Sequence, residues 1–509
     1  MSEKETQRMP NVIEALIVLA FTMLVICMSV FVWEVDVHIP VAIAAVFAGL
    51  FGFFILKCPW PRIADGIVSG INMAMMSILI MYTIGIVVGS WILCGAVPSM
   101  IYYGLSALSP GIFLLSTLLI CSIVSIATGS SWGTSGTVGI ALIGVSAGLG
   151  IPTPLTAGVI ISGAYFGDKM SPLSDTTNLA PAVAGTELFQ HIKGMLWTTA
   201  PTYIIVAVIC VLLGFGYSGG ELDTAKIDAI KTVMSREFSI SPLGLLPPIL
   251  VIALVALKIP ALPALVAGIA AGAVMCLTKG VSLPDIINVL QWGYEPKLIG
   301  DLVKAGEDAP ALAALLAENN LSGLSEGMVG EIAGMLNELM KRGGLQSMNW
   351  TVSLSIVALA YGGIMEQCRF LEVLLFALLK KVKTVGGLVL TTCLSSLAGN
   401  LLLADQYMAI VLPGRMFKTA YEEKGLHPRM LSRCLEDVGT ITSVLIPWNS
   451  CGAFHANLFG VSTLAYAPFA FLNWINPIMS VVITYLGIGI TWKGSDGEPV
   501  ISKNRPESL

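Results

Sequence analysis

Charged side chains are scarce in this 509-residue chain: Asp, Glu, Lys and Arg make up 12% of it, against about 25% in soluble domains. So few polar groups cannot cover a water-facing globule of this length. The basic residues that do occur are not in excess, with 27 Lys and Arg against 32 Asp and Glu and no basic stripe, which excludes a nucleic-acid partner. The phosphate-cradling pattern G-x-x-x-x-G-K-[ST] is absent, so ATP hydrolysis does not drive whatever work the chain does. What the chain has instead is apolar residue, 55% of it, with a further 52 glycines. That composition is one of an integral membrane protein.

The ten cysteines do not read as a disulfide framework. Cys27, Cys58, Cys94, Cys121, Cys210, Cys276 and Cys393 sit in or beside apolar runs, where a free cysteine packs as a small hydrophobe. The charged segment Met1 to Arg8 precedes an apolar run from Val12 to Trp33. That run is too long for a signal-peptide core and lacks a small-residue cleavage site, so it is expected to be an uncleaved first span. Stretches long enough to cross about 30 Å of hydrocarbon occur near 12–33, 38–56, 67–93, 110–128, 195–217, 350–366 and 461–490. Others are short or interrupted by Gly, Pro and polar residues: 137–149, 154–166, 243–257, 260–278, 386–403, 406–417 and 438–459.

The two halves resemble each other. Ile39-Pro40 through Gly49 pairs with Ile259-Pro260 through Gly268 at an offset of about 220, while Ser125-Ile-Ala-Thr-Gly129 pairs with Ser395-Ser-Leu-Ala-Gly399, and Gly167-Asp168 with Glu436-Asp437, at about 270. The jump places an insertion in the second half, and the acidic, helically patterned segment 295–348 is its candidate. Charge placement orients the copies. Arg415 to Arg433 carries five Lys and Arg where its partner Gly144 to Pro154 carries none; Lys380-Lys381-Val-Lys383 is matched by uncharged Gly104 to Pro110, and Lys57 with Arg62 by the acidic insertion. Basic short loops stay cytoplasmic, so equivalent loops lie on opposite faces and the repeat is expected to be inverted. Lys4 and Arg8 at one end, and Lys493, Lys503 and Arg505 at the other, then put both termini in the cytoplasm. The expected organisation is a first span at 1–35, repeat 1 at 36–218, a linker at 219–242, the start of repeat 2 at 243–294, an extracytoplasmic amphipathic insertion at 295–348, the rest of repeat 2 at 349–490 and a cytoplasmic tail at 491–509. The expected fold class is an all-α polytopic membrane protein.

Inverted-repeat transporters bind near the midplane, where interrupted helices free backbone groups. Each half supplies two polar breaks: Ala127-Thr-Gly-Ser-Ser-Trp-Gly-Thr-Ser-Gly136 and Tyr165 to Asn178 in the first, Gly399-Asn400 to Tyr407 and Leu435 to Asn449 in the second. Their hydroxyls, amides and carboxylates suit a small hard cation, and Ser171, Ser174, Asp175, Asn178 and Asp405 are the Na+ candidates. Ser171, Ser174 and Asn178 would share one helical face beside Pro172, which frees backbone carbonyls. Asp168, Asp175, Asp405, Glu436 and Asp437 are the carboxylates able to carry a proton in a dry site. Asp168 beside Lys169, and Glu436 beside Arg433, fit equally an ordinary cap or ion pair at the cytoplasmic boundary. Glu366 fits snorkelling as well as binding, and His455 is more often a packed histidine than a proton relay. The run Thr128, Ser130, Ser131, Thr134 and Ser135 reads as a lined cavity. Gly214-Phe-Gly-Tyr-Ser-Gly219 mimics a dinucleotide fingerprint but follows an apolar span, not a strand. Gly129-Ser-Ser-Trp-Gly133 mimics a nucleophile elbow with no strand before it, so an intramembrane serine hydrolase is disfavoured.

At these residues the sequence resembles the NhaC-type sodium/proton antiporter family, which also contains malate/lactate antiporters. The stretches that carry the resemblance are Ser125 to Thr134, Gly163-Ala-Tyr-Phe-Gly-Asp-Lys-Met-Ser-Pro-Leu-Ser-Asp-Thr-Thr177, and Leu435-Glu-Asp-Val-Gly-Thr440 running on to Pro447-Trp-Asn-Ser-Cys-Gly452. It covers about 10–490, with the insertion before Arg342-Gly-Gly-Leu-Gln-Ser-Met348 as a departure. It implies an ion-transporter-superfamily fold with paired re-entrant hairpins, elevator-type alternating access and a homodimer. The expected activity is exchange of Na+ for H+ across the bacterial inner membrane, with no cofactor beyond Na+ as transported or coupling ion. Asp175, Ser171, Ser174, Thr177 and Asn178 are expected to form one half-site, and Asp405, Thr440, Ser443 and Asn449 to approach it from the other. The alternative is a Na+- or H+-coupled carrier of a small carboxylate or amino acid, with Trp132 and the backbone donors near Gly129 and Gly133 holding the anionic group.

Overall fold

The computed structural model describes residues 8–218, 224–306, 308–321, 324–380 and 382–506. Lys4 and Lys381 of the charge argument, and Gly219 of the discounted glycine motif, lie outside the described residues. The protein is a polytopic membrane protein built almost wholly of helices. Among the described residues, seven are long and apolar enough to span a bilayer, or nine if two bent pairs each count as one. Their outer faces carry side chains such as Ile13, Leu24, Val46, Ile123, Ile204 and Leu212, all more than half exposed, where hydrocarbon, not water, is their favourable surrounding. One departure from an all-α chain follows the last span: Thr491–Lys493 pairs antiparallel with Pro499–Ile501, and Trp492 bridges to Leu426.

Among the described residues, one order of elements occurs twice. The first set is His38–Phe54, Trp60–Met73, Met75–Leu93, Ala96–Ala107, Pro110–Thr128, a half-helix running from Ser131 to Gly148, Thr153–Met170, Asp175–Ala184 and Leu188–Ser218. The second is Ala261–Thr278, Leu283–Trp292, Asn349–Gln367, Phe370–Leu379, Val385–Leu403, Gln406–Glu423, Arg429–Leu435 continued by Glu436–Thr440, Ser450–Phe459 and Phe471–Tyr485. Val12–Cys27 precedes the first set, and Thr224–Glu237 with Leu246–Ala256 stands between the two, bent by 85°.

Several expected spans are corrected. The 67–93 run is broken at Ala74, where Trp60–Met73 gives way to Met75–Leu93, and 461–490 is bent by 58° between Thr463–Phe469 and Phe471–Tyr485. Conversely, 260–278 and 386–403, read as interrupted, hold the continuous helices Ala261–Thr278 and Val385–Leu403. Their Pro260, Pro263, Gly386 and Gly387 fall at the cap or in the first turn, where the backbone N–H groups have no intrahelical partner to lose.

The segment 295–348 folds as three short helices, Lys297–Ala305, Ala309–Glu318 and Glu326–Met340. Their apolar stripe, including Ile299, Leu302, Leu316, Ile332 and Leu336, is buried. Glu237 anchors the segment by accepting hydrogen bonds from the Tyr294 hydroxyl at 2.9 Å and from the amides of Lys297 and Ile299 at 2.9 and 3.0 Å. These amides are unpaired donors of a helix start, so a carboxylate there serves both geometry and dipole.

Candidate functional site

Four half-helices begin at breaks, and each begins with an oxygen-bearing cap. Ser130 accepts from the Gly133 amide at 3.0 Å, and Asp405 from the amides of Tyr407 and Met408 at 2.8 and 3.2 Å. Ser174 accepts from the Thr177 amide at 3.3 Å and Asn449 from that of Cys451 at 3.1 Å. Each cap satisfies donors that the helix itself cannot, at the positive end of its dipole. Before the first pair of caps the chain turns through left-handed backbone, at Gly129 with φ of 64° and at Ala404 with φ of 55°. Glycine is required at 129 on packing grounds as well, because a Cβ there would lie 2.7 Å from the Leu173 carbonyl carbon.

These caps set the correspondence of the two halves. Ser130 and Asp405, and Ser174 and Asn449, are each 275 residues apart. So are the partners of an interhelical bond that occurs in both halves: the Ser125 hydroxyl donates to Ala164 O at 2.6 Å and the Asn400 amide to Gly439 O at 2.7 Å. The offset of about 270 is therefore corrected to 275. Asp168 stands against Ser443, not against Asp437, and Gly129 against Ala404, not Gly399.

The carboxylates separate into three environments. Asp405 is buried; Asp175, expected to lie deep, is exposed, on the wall of a cavity of about 290 Å³ that Thr128, Gly129, Ser130, Leu173 and Lys258 also line. One residue joins the two. The Tyr407 amide caps onto Asp405, and the Tyr407 hydroxyl donates to Asp175 Oδ2 while meeting Ser77 Oγ at 2.8 Å. Asp168, also buried, holds the start of the half-helix after Gly129 by accepting from the Ser131 amide at 3.1 Å and hydroxyl at 2.6 Å. Asp437 belongs to a different arrangement. Its Oδ1 accepts from Lys169, Thr198 Oγ1 at 3.1 Å and Asn476 Nδ2 at 2.9 Å, and its Oδ2 lies 4.0 Å from Arg433 Nε. Lys169 thus pairs with Asp437 and not with its neighbour Asp168, and Arg433 with Asp437 and not Glu436. For Lys169 an adjacent acid lost to a partner across the halves; for Arg433 an acid three residues away lost to one four residues away on the same helix.

Other expected ligands are spent on structure. Ser171 donates to Ile126 O at 2.7 Å; Asn178 ties Pro172 O and Ser174 O at 3.0 and 2.6 Å; Thr177 donates to the carbonyls of Asp168 and Lys169, both at 3.1 Å. Ser443 donates to Thr440 O at 2.6 Å, and Asn449 donates to Asn400. The Thr128 and Thr134 hydroxyls meet at 3.3 Å. His455 is a packed histidine: Nδ1 donates to Cys451 O at 2.8 Å, Nε2 meets the Ser135 hydroxyl at 3.1 Å, and the ring lies among Tyr165, Phe454 and Phe459. Glu366 is 3.7 Å from Arg415 on the wall of a charged cavity of about 690 Å³, far from these breaks in its chemistry and lined also by Arg62, Arg369 and Glu372. Trp132 stacks on Phe454 at 4.8 Å between ring centroids.

The sequence profile of the Na+/H+ antiporter family matches residues 163–316 and 311–488. A sodium/proton antiporter, NhaC, of Alkalihalophilus pseudofirmus is 37% identical over 477 residues, covering 93% of this chain and 96% of that protein. The chain belongs to the Na+/H+ antiporter family. Other members at similar distance carry different names: a malate-2H+/Na+-lactate antiporter of Bacillus subtilis is 35% identical over 94% of this chain and 96% of its own length. An arginine/ornithine antiporter of Halobacterium salinarum is 34% identical over 97% and 96%. The family match includes Asp168, Asp175, Asp405, Glu436 and Asp437, and so takes in every carboxylate of the breaks.

Two site-facing residues of this family member escaped the sequence reading. Tyr407 lies inside a quoted polar cluster, but its importance depends on a partner more than 200 positions away; Thr176 was within reach as one of the oxygen-bearing residues beside Pro172. Ser77 sits in an otherwise apolar run and carries no signal of its own.

Proposed function

We propose that this protein exchanges Na+ for H+ across the bacterial inner membrane. In this reading the two sets of elements are inverted repeats, both termini are cytoplasmic, and a homodimer works by elevator-type alternating access. The observation that carries the exchange reading is the Asp175–Tyr407–Asp405 junction: carboxylates from both halves, at the starts of broken helices, are bridged by one tyrosine beside a cavity that Thr128, Ser130 and Asp175 help to line. A carboxylate can hold a proton or a hard cation but not both at full strength, so the two ions compete for the same oxygens. Asp175, exposed on the cavity and bonded to the Tyr407 phenol, is the group that meets the ion first, and Asp405 is the buried partner behind it.

The test is Na+-driven proton movement in proteoliposomes. Asp175→Asn keeps the size of the side chain and is expected to abolish exchange while purified protein yield and melting stay unchanged; full exchange by this variant would remove Asp175 from the site. A second reading, coupled transport of a small carboxylate or amino acid, is supported by the cavity, which is larger than an ion needs and has Lys258 as well as Asp175 on its lining. Counterflow of labelled malate, lactate or arginine against an imposed Na+ or pH gradient separates the readings, since ion exchange alone drives none of them.

A further inference from the structure

The Asp175 junction leaves a second set of buried oxygens unexplained. Glu436 is fully buried on a π-helical turn, Glu436–Thr440, a geometry that recurs at functional positions in helices. Its Oε1 accepts from the Thr176 hydroxyl at 3.1 Å, while Oε2 has no hydrogen-bond partner and, among the described residues, no Lys, Arg or His lies within ion-pair distance of it. The Thr440 hydroxyl faces this carboxylate, and Asp168 of the other half, whose Oδ1 has no hydrogen-bond partner, lies close enough to act on its charge. The Ser174 hydroxyl lies 3.2 Å from that of Thr176 and faces Asp168. Carboxylate and hydroxyl oxygens gathered with no ammonium or guanidinium paired to them are the surroundings of a hard cation, and a buried polar group left without a partner is costly.

The charges agree. Lys169 and Arg433 both serve Asp437, so Asp168, Glu436 and Asp437 outnumber these two cations by one; Arg429, also buried, hydrogen-bonds Thr491 and Gln190 instead, and His191 is hydrogen-bonded to Ser432. One monovalent cation restores neutrality, and a divalent ion overshoots it. We propose that Asp168 and Glu436, with the hydroxyls of Thr440, Thr176 and Ser174, form an inner Na+ seat distinct from Asp175 and Asp405. It draws ligands from both halves. Thr176 connects it to the cavity, since its amide donates to Asp175 Oδ1 at 2.8 Å and its hydroxyl to Glu436. The choice of Na+ as the ion rests on the exchange reading.

Equilibrium binding of radioactive Na+ to the purified full-length protein at alkaline pH tests the seat. Glu436→Gln, which keeps an oxygen for Thr176, is expected to lower the saturating stoichiometry by one ion per chain. Thr440→Val, which removes one of the proposed ligand hydroxyls at nearly constant volume, is expected to weaken one class of ions about tenfold. Full stoichiometry in Glu436→Gln overturns the seat, and if that variant does not fold, unchanged affinity in Thr440→Val overturns it. Loss of an ion in Asp175→Asn with none lost in Glu436→Gln sinks the inner seat alone, whereas a wild-type protein that binds no Na+ sinks the exchange reading with it.

Discussion

Replacing Lys169 with Met asks whether Asp437 is a structural anion or an ion ligand. Both partners of the Lys169–Asp437 pair are fully buried, and the remaining cation, Arg433, is 4.0 Å from Asp437. At that distance and an effective dielectric constant of about 20, Arg433 still offers about 4 kcal/mol of attraction, so Asp437 is weakened but not abandoned. Lys169→Met nevertheless leaves three buried carboxylates with one cation, and removing one member of a buried pair costs about 3–5 kcal/mol. Asp437→Asn is milder: the amide oxygen can keep the Thr198 and Asn476 bonds, and the charge of the buried set moves towards zero, for a cost of about 1–3 kcal/mol. The double variant returns the set to its original charge and should be less destabilised than the sum of the two by about 2 kcal/mol. Thermal melting in detergent, followed by size-exclusion of the surviving protein, reads these differences at roughly 1–2 °C per kcal/mol, extrapolating to a chain of this length. The expected order of melting is wild type, then Asp437→Asn, then Lys169→Met and the double variant close together, since a coupling of about 2 kcal/mol offsets the cost of Asp437→Asn. Additive effects of the two changes, or loss of Na+-dependent stabilisation in Asp437→Asn, would refute the structural assignment.

Tyr407→Phe removes the hydroxyl that joins Asp175 to Ser77, and should raise the Na+ concentration for half-maximal exchange about tenfold with little change in melting; an unchanged Na+ dependence in dye-based vesicle assays counts against the junction. Ala404 occupies a left-handed backbone position that costs a residue with a Cβ about 1–2 kcal/mol, so Ala404→Gly should melt higher than wild type, while Gly129→Ala, whose added Cβ meets Leu173, should melt lower. Equal shifts of one sign in both would remove the strain argument.

The breaks were legible because their chemistry is local. A Ser, Asp or Asn that caps a half-helix, and a glycine that turns the chain before it, announce themselves within a few residues, as Gly129-Ser130 and Asn449 do. Continuous helices such as Ala261–Thr278 were harder, since Pro260 and Pro263 break a helix in its interior and start one at its first turn, and composition alone does not say which. Pairing was least legible. Lys169 has Asp168 beside it and bonds Asp437 instead, a choice made by packing of helices 268 positions apart. The depth of Asp175 was misjudged for the same reason: the polar residues around it bond one another and leave its carboxylate on the cavity wall.

The offset between the halves was missed because the two halves exchange residue identities at their most important positions. At the first break the cap is Ser130 and the carboxylate arrives from across, at Asp168; at the second the cap is Asp405 and the position equivalent to Asp168 is Ser443. Alignment by identity therefore slides Asp168 towards Asp437, the wrong acid, to avoid setting it against a serine. In chemical terms nothing is lost by the exchange, because each half-helix start still receives one carboxylate on its unpaired amides, at Ser131 from Asp168 and at Tyr407 and Met408 from Asp405. What differs is where the second oxygen of that carboxylate goes. Asp405 Oδ2 meets the Ser450 hydroxyl at 3.5 Å, behind the junction with Asp175, whereas Asp168 Oδ1 has no hydrogen-bond partner and its carboxylate lies close enough to Glu436 to act on its charge. Two halves with one backbone plan thus present two unlike oxygen sites, which is the asymmetry a protein needs if the outer carboxylates are to meet the cavity while the inner ones keep an ion enclosed.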